Sequence, residues 1–213
     1  MLRLRFTMKT LYATIGSGNC FKAHLVMKQL NIPYRCVNVD VLKGETKSAD
    51  YLAVNPAGTV PFLRLEDGSG IAESNAMLWY LSAGTALFPR SAYDEAQTVE
   101  WMIIEQTRLE PKISPARFFT TILPERRAEM ADQIAKWQEE GRAGLKRLDQ
   151  HLSRRDFVVG DYYSIADIAV YGYVHVADEG GFDMAEYPYV RAWCSRVSAT
   201  RNYTPMMELP AAA

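Results

Sequence analysis

The sequence has few of the residues that build disulfide frameworks or metal sites. Its three cysteines, Cys20, Cys36 and Cys194, are an odd number at wide spacing, which does not suggest a set of disulfide bonds. The three histidines lie far from one another in sequence, so no metal site is expected. We interpret the thiols as reduced, which favours a cytoplasmic location.

The sequence also has no long apolar run and no large excess of charge, which argues against a membrane protein and a nucleic-acid-binding protein. No apolar run approaches the roughly 18 residues of a membrane span, and the opening MLRLRFTMKT has too short an apolar stretch for a signal peptide. The 24 basic and 25 acidic residues leave a net charge of −1, so no nucleic-acid or membrane partner is expected. Local pairs such as Arg126-Arg127 and Arg154-Arg155 are interpreted as solvated helix surface. Residues 1–7 precede a second methionine and are interpreted as a disordered extension.

The chain that remains can form a substantial core, because 48% of its 213 residues are hydrophobic. In its first part, strands and helices alternate. The patterns predict a strand at 10–13, a helix at about 20–30, a strand at 34–39, a short helix, a strand in VPFLRL, a hairpin turn at DGSG and a helix at 73–82. This βαβ, α, ββα order predicts an α/β domain at residues 8–84 with a parallel strand pair.

After a linker at residues 85–91 the pattern is helical almost to the end. The predicted helices span 92 to about 121, 124–152, 164–178 and 187–199, with a short strand-like run FVV at 157–159. Pro111 and Pro115 are expected to kink or end the first of these helices. The sequence therefore predicts a second, all-α helical bundle domain at residues 92–213.

The stretch IGSGNCFKAH, residues 15–24, lies where the first strand ends and the first helix begins. Its glycines permit a tight turn, and the free N–H groups and positive dipole end of the helix favour an anion. Ser17, Asn19 and Cys20 stand at this point, so the turn fits a thiolate, a carboxylate or a phosphate. The structural alternative is that Ser17 or Asn19 caps the helix while Cys20 packs inside it. A P-loop is excluded, because the lysine and Ser/Thr of that motif are missing.

Two other motifs admit both a functional and a structural interpretation. In NPAGTVP, a cis Val60–Pro61 bond would offer the Val60 backbone to peptide groups of a ligand, whereas a trans proline would simply start a strand. In AESNAMLWYL, Glu73 and Ser74 open a helix, where a hydroxyl and backbone N–H groups can bind a carboxylate or cap the helix.

A third motif, SIADIAVYGY, places Ser164 and Asp167 directly ahead of an apolar helix. This spacing is that of a capping box with Asp in the usual Glu position. We interpret it as a structural element of the helical domain.

Together, in this order and at these spacings, the motifs resemble those of the cytosolic glutathione S-transferase superfamily. The likeness covers about residues 8–207 and rests on S-x-N-C after the first strand, NPAGTVP, ESNA and SIADIAVYGY. It implies a thioredoxin-like first domain with a cis-proline, an all-helical second domain and a homodimer. It also implies a transferase that activates bound glutathione as a thiolate for attack on a hydrophobic electrophile, with glutathione as co-substrate and no metal.

The resemblance assigns contacts to glutathione residue by residue. Val60 would pair its backbone with the cysteinyl part, and Glu73 and Ser74 would hold the γ-glutamyl end. Thr46 and Thr59 fall near the positions that contact the glycyl end in the family, where His, Lys, Arg or Gln is commoner.

The catalytic role implied by the resemblance falls on Ser17, which occupies the place of the nucleophilic cysteine in the C-x-x-C motif of thioredoxin folds. Asn19 would share the work, as in relatives with Asn in this turn. One hydrogen bond to an anion supplies about 1.5 to 3 kcal/mol and a helix start about 0.3 to 1, which suffices to lower a thiol pKa from ~8.5 to ~6.5. No general base is needed, so His24 is interpreted as a helix-face residue.

The resemblance places the hydrophobic co-substrate between the domains, with Ile113, Arg117 and Phe118 as candidate pocket residues. Two alternative functions stay open. The first is glutathione-dependent thiol–disulfide exchange at Cys20, whose place at a helix start favours a thiolate. The second is a non-catalytic interaction module of the same fold. The scaffold also serves conjugation, peroxide reduction, dehalogenation and isomerisation, and the glutathione-site residues do not separate these reactions.

Overall fold

The computed structural model describes residues 8–208, which divide into two units. Up to Thr85 the chain belongs to the first unit, Ala86–Thr200 form the second, and the segment from Arg201 onward returns to the first. The predicted extension at residues 1–7 lies outside the described residues.

The first unit is a four-stranded mixed sheet with helices. Its elements are β1 Lys9–Ala13, α1 Gly18–Gln29, β2 Tyr34–Asn38, α2 Ala49–Val54, β3 Phe62–Arg64, β4 Gly70–Ile71 and α3 Ser74–Ser82. The strand order is β2-β1-β3-β4, in which β1 pairs with β2 in parallel and with β3 antiparallel, and β3 pairs with β4 antiparallel. This confirms the predicted thioredoxin-like α/β fold.

Burial explains why these segments form one layer of strands under helices. Leu11 on β1 and Leu63 on β3 stand opposite each other and are fully buried. Helix α1 contributes Phe21 and Leu25 to the core and packs against α3, which contributes Met77. The packing of these apolar side chains fixes the starts of α1 and α3 beside the sheet, and the predicted site residues lie at those starts.

The last described segment corrects the predicted domain boundary, because residues 201–208 belong to the first unit and not to the helical one. The Tyr203 ring meets the Phe21 ring edge-on at a centroid distance of 6.4 Å. Asn202 Nδ2 donates to Asn31 Oδ1 at 3.2 Å. These contacts with α1 and the turn after it hold the segment on the first unit.

The second unit is helical, as predicted. Its α-helices are α4 Ala92–Ile104, α5 Glu110–Arg117, α6 Ala131–Leu152, α7 Ile165–Val174 and α8 Pro188–Ser198. Helix α6 packs against α5 and α8, and α7 packs against α4 and α5. All ten residues of α7 are buried, so α7 is the centre of this unit.

The two prolines do not end the helical path of residues 92–122. Pro111 lies in the first turn of α5, where a missing N–H costs little, and Pro115 lies inside α5. Widened π-helical turns flank α5, at Glu105–Leu109 and Phe118–Ile122. These turns carry the chain past the prolines without a break.

The predicted strand at 157–159 is wrong. Val158 and Val159 are almost fully buried but have no strand geometry. The Val158 N–H donates at 2.8 Å to Oδ1 of Asp167 instead of to a neighbouring strand. The apolar character of FVV therefore reflects burial in the helical core.

The capping box at the start of α7 is formed as the sequence predicted. The Ser164 N–H donates to Asp167 Oδ2 at 3.0 Å, and Ser164 Oγ accepts the Ala166 N–H at 3.2 Å. Asp167 Oδ1 also accepts the indole N–H of Trp193 at 2.8 Å. Asp167 thus ties the start of α7 to α8 and to the segment that contains Val158.

Candidate functional site

The turn between β1 and α1 presents a serine hydroxyl at the start of a helix. Gly16 has a φ of +80°, a conformation that favours glycine over L side chains. Ser17 is the N-cap of α1, and its Oγ accepts the Cys20 N–H at 3.3 Å. Because the oxygen acts as an acceptor in this bond, the hydroxyl hydrogen can be donated to a ligand. The Ser17 side chain is half-buried, which leaves it open to one side.

Asn19 connects this turn to the start of α3. The hydroxyl of Ser74 donates to Asn19 Oδ1 at 3.2 Å. Asn19 is half-buried and Ser74 is buried, so the bond is partly shielded from solvent. The structure therefore brings Ser17, Asn19 and Ser74 together at the starts of two helices, although 55 residues separate Asn19 from Ser74 in sequence.

Cys20 points into the protein. It is fully buried, and Sγ accepts the Thr14 N–H at 3.4 Å. Burial raises the pKa of the Cys20 thiol to about 11, against a smaller opposite effect of the Ser17 hydrogen bond. The thiol is therefore protonated at neutral pH and has no access to a disulfide in solution.

His24 is also part of the interior of the first unit. Its ring is 1% exposed, and Nδ1 contacts the Tyr34 hydroxyl. Burial lowers the pKa of His24 to about 4, so the ring is neutral at pH 7. A buried, neutral ring of this kind is a packing residue of the first unit.

Glu73 stands directly before α3 with its side chain exposed and makes no capping hydrogen bond. Among residues 8–208 its carboxylate has no hydrogen-bond or ion-pair partner. The first turn of α3 is therefore not closed by its own N-cap side chain. A cation can approach the Glu73 carboxylate while an anion approaches the N–H groups of the helix start.

The Val60–Pro61 peptide bond is cis, which is the isomer that the family resemblance implies. The side chain of Val60 packs against the core cluster that contains Tyr12, Tyr51 and Phe62. The Tyr12 ring is buried in this cluster rather than present in the turn. The backbone just before Val60 is held in place, since the Thr59 carbonyl accepts the Tyr51 hydroxyl at 2.6 Å.

The two threonines that were assigned to the glycyl end differ in accessibility. Thr46 is buried within a short 3₁₀ helix, Glu45–Lys47, whereas Thr59 is exposed. Sequence reasoning missed Lys47, whose Nζ donates to the Gly58 carbonyl at 2.8 Å and so lies between the two segments. No motif in the sequence singles out Lys47, because its contact joins it to a residue 11 positions further along the chain.

The structure does not support all three candidate co-substrate residues in the second unit. Ile113 is fully buried, so it is a core residue and not part of an open wall. Arg117 is 5% exposed, and its Nε donates to Glu179 Oε2 at 2.6 Å, which makes it an internal ion pair. Phe118 remains half-buried, with its ring 5.2 Å from that of Phe119.

Metal-ligand clusters and membrane-spanning helices are both absent from residues 8–208. No group of three or more His, Cys, Asp or Glu side chains within residues 8–208 could hold a metal ion. In the same range, no helix has the length and apolar character needed to cross a bilayer.

Comparison with known proteins agrees with this geometry. Residues 16–83 match the family model of the glutathione S-transferase N-terminal domain, and residues 131–196 match that of the C-terminal domain. A solved glutathione S-transferase from Pseudomonas fluorescens Pf-5 is 39% identical, with a TM-score of 0.91 over 95% of this chain and 100% of that one.

Two further relatives are named for different activities. A glutathione transferase homologue from Sulfitobacter, solved with bound glutathione, is 27% identical, with a TM-score of 0.78 over 92% of this chain and 95% of that one. The disulfide-bond oxidoreductase YfcG of Escherichia coli K12 is 27% identical over 84% of this chain and 85% of its own length. From the paired domain matches and the 39% identity across nearly the full chain, this protein belongs to the glutathione S-transferase family.

Proposed function

We propose that this protein is a glutathione transferase that stabilises bound glutathione as a thiolate and directs it at a hydrophobic electrophile. The observation that carries the proposal is the Ser17 hydroxyl at the start of α1, whose oxygen is polarised by the Cys20 N–H. Family membership and the glutathione-bound relative support glutathione as the co-substrate.

In the proposed mechanism the Ser17 hydroxyl donates a hydrogen bond to the sulfur of glutathione. This bond and the positive end of α1 favour the thiolate, and the thiol proton leaves to solvent. The thiolate attacks an electrophilic carbon, a C–S bond forms, and the leaving group departs with its electron pair. Asn19 supports the turn, since its side-chain oxygen is engaged by Ser74 and its amide N–H groups can donate toward the sulfur.

The γ-glutamyl end of glutathione carries an ammonium and a carboxylate, and the start of α3 offers a partner for each. We assign the ammonium to the exposed carboxylate of Glu73. The carboxylate is assigned to the N–H groups of the first turn, and to the Ser74 hydroxyl after its hydrogen turns from Asn19 Oδ1 to the bound ligand. The backbone N–H and C=O of Val60 are assigned to the cysteinyl part.

The glycyl carboxylate needs a cation or hydrogen-bond donors. We assign it to Lys47, whose Nζ already lies at the Gly58 carbonyl, together with the exposed hydroxyl of Thr59. Thr46 is buried and contributes by holding the 3₁₀ turn that carries Lys47.

For the second substrate we assign Phe118 to the hydrophobic contact surface. Its half-buried ring, packed on Phe119, offers an apolar face to a ligand. Ile113 and the Arg117–Glu179 ion pair act behind it as support.

We also propose that the protein is a cytoplasmic homodimer. Helix α4 exposes Tyr93, Val99 and Ile103, with exposures of 69%, 43% and 58%, and Val99 and Ile103 lie one turn apart on the same face. Apolar side chains aligned on one helix face and exposed to this extent are typical of an association surface. The free thiols of Cys20, Cys36 and Cys194 are compatible with a reducing compartment.

A second candidate reaction, disulfide reduction, is favoured by the name of the Escherichia coli relative. The burial and protonation of the Cys20 thiol do not support Cys20 as the nucleophile of this reaction. The reaction would instead use the sulfur of glutathione. Its thiolate attacks a disulfide, one thiolate leaves, and a second glutathione resolves the mixed disulfide to give glutathione disulfide and the other thiol.

A comparison of two reactions tests the proposal. Purified protein should be retained on immobilised glutathione and should conjugate glutathione to 1-chloro-2,4-dinitrobenzene. The Cys20→Ala variant should keep its conjugation and any disulfide reductase rate within about twofold, because the thiol is buried and protonated. If the wild-type protein reduced disulfides but did not conjugate glutathione, and Cys20→Ala lost the reductase activity, Cys20 would be the nucleophile and the proposed transferase function would be wrong. Failure of the wild-type protein to bind glutathione would favour the interaction module.

Glu73→Gln should weaken glutathione binding by about tenfold or more while leaving the melting temperature almost unchanged. The reason is that a charge-assisted hydrogen bond contributes about 1.5 to 3 kcal/mol, whereas the exposed carboxylate makes no contact that stabilises the fold. Titration calorimetry with glutathione measures the first effect and thermal unfolding the second. Glu66→Gln, which removes an exposed carboxylate bound to Lys9, is the matched control and should bind normally. A Glu73 variant that loses stability and affinity in parallel would point to a structural role.

A further inference from the structure

A cleft of about 320 Å³ lies in the second unit, between the end of α6 and one face of α8. Its size falls within the range of small-molecule sites in proteins. The residues that line it are Leu152, Ser153, Arg154, Arg155, Asp156, Tyr189, Ala192 and Arg196.

The cleft brings together three guanidinium groups and one carboxylate. Arg196 is fixed in place, since its Nε donates to the Asp156 carbonyl at 2.9 Å and lies 3.7 Å from Asp156 Oδ1. Arg154 and Arg155 are exposed and make no side-chain hydrogen bond or ion pair with any of residues 8–208. Three positive charges around one negative charge leave a local excess of two, in a chain whose net charge is −1.

The positive charge of this cluster acts on the neighbouring ring of His151. His151 lies four residues before Arg155, and its Nε2 is hydrogen-bonded to the Val158 carbonyl at 2.7 Å. Burial lowers the pKa of His151, and the positive charge of Arg155 lowers it further. The Glu100 carboxylate acts on the His151 ring in the opposite direction.

The other walls of the cleft are apolar or aromatic. Leu152 and Ala192 contribute aliphatic surface, and Tyr189 contributes a ring that is 47% exposed. The Tyr189 backbone N–H is engaged by Asp149 Oδ1 at 2.8 Å, which fixes the start of α8. A ligand here would meet both guanidinium groups and an aromatic ring.

We propose that this cleft binds a small phosphate monoester with an aromatic body. Guanidinium groups bind phosphate oxygens in pairs through parallel N–H donors, and a phosphate monoester carries −1.5 to −2 charges at neutral pH, which matches the excess of two. The Tyr189 ring offers a stacking partner for the body of the ligand. Arg154 and Arg155, which the sequence alone assigned to solvated surface, would then bind the phosphate. The proposal is independent of glutathione and of the electrophile.

Titration calorimetry with phenyl phosphate tests this proposal. We expect saturable binding to the wild-type protein at low ionic strength, weakened by added salt. The double variant Arg154→Gln/Arg155→Gln should bind about tenfold more weakly or not at all, because it loses paired donors to the phosphate. Arg196 is left intact, since it also holds the Asp156 backbone. Glutathione binding should be the same in all variants.

The matched control is Arg126→Gln/Arg127→Gln, which removes the same charge from an adjacent pair outside the cleft. It should bind phenyl phosphate as the wild type does. Equal weakening in the two double variants would show a general charge effect and overturn the site, as would the absence of saturable binding to the wild type. Glycerol phosphate and benzoate should each bind more weakly than phenyl phosphate. Equal affinity for glycerol phosphate would overturn the aromatic body, and equal affinity for benzoate would overturn the phosphate.

Discussion

Ser17→Ala is expected to raise the pKa of enzyme-bound glutathione by about 1 to 2 units, since the variant loses a hydrogen bond to an anion worth about 1.5 to 3 kcal/mol. The pKa rises because only the thiolate, not the thiol, gains strongly from the donated bond. The loss of conjugation rate should be about tenfold near pH 6.5 and should shrink as the pH approaches the new pKa. Thiolate absorbance titrated against pH measures the shift directly.

The control for this prediction is a variant that removes a helix N-cap but leaves the hydrogen bond from Ser17 to the glutathione sulfur in place. Ser48 meets the requirement, because it is the N-cap of α2 and its Oγ accepts the Tyr51 N–H at 3.2 Å. Both Ser17→Ala and Ser48→Ala should lose about 1 kcal/mol of stability, as N-cap substitutions do. Only the Ser17 variant should shift the thiol pKa, and Ser17→Thr should restore it. A large shift in Asn19→Ala with none in Ser17→Ala would transfer the role to Asn19.

Asp167→Ala is expected to destabilise the second unit by about 3 to 5 kcal/mol, because it leaves several buried donors without an acceptor. The N–H groups of Val158 and Ser164 and the indole N–H of Trp193 all donate to this carboxylate. Burial raises the pKa of Asp167 to about 6, so the group is ionised at pH 7 and accepts from all three. Urea unfolding followed by tryptophan fluorescence measures the loss.

Two variants separate this network from an ordinary cap. Asp183 also caps a short helix, with Oδ1 accepting the Ala185 N–H at 2.9 Å, but it is exposed. Asp183→Ala should therefore cost only about 0.5 to 1 kcal/mol. Asp167→Asn keeps an acceptor oxygen and should fall between the two. A cost for Asp167→Ala no greater than that for Asp183→Ala would mean that the buried donors find other partners or water.

The sequence correctly predicted those features of the fold that depend on a few neighbouring residues. The order of elements in the first unit and the capping box at Ser164 depend on short-range periodicity and spacing, and both are present in the structure. The place of Ser17 and Asn19 at the start of α1 was predictable for the same reason. Such signals act over one or two helical turns, so the sequence alone carries them.

The features that failed depend on packing between distant segments. Ile113 and Arg117 have the spacing of a helix face, but the sequence does not say which face the core covers. The run FVV looks like a strand because burial and β-propensity favour the same residues. Lys47 could not be preferred over Thr46 without knowing that the Gly58 carbonyl lies beside its ammonium group.

The return of residues 201–208 to the first unit has a consequence for the order in which the protein folds during synthesis. Domains generally fold as they leave the ribosome, amino-terminal part first. Here the helical unit, Ala86–Thr200, has emerged completely before Tyr203 can reach Phe21. The unit that begins the chain is therefore the last to be completed. A nascent chain stalled after Thr200 would hold a finished helical unit and a first unit that still lacks its contacts with residues 201–208.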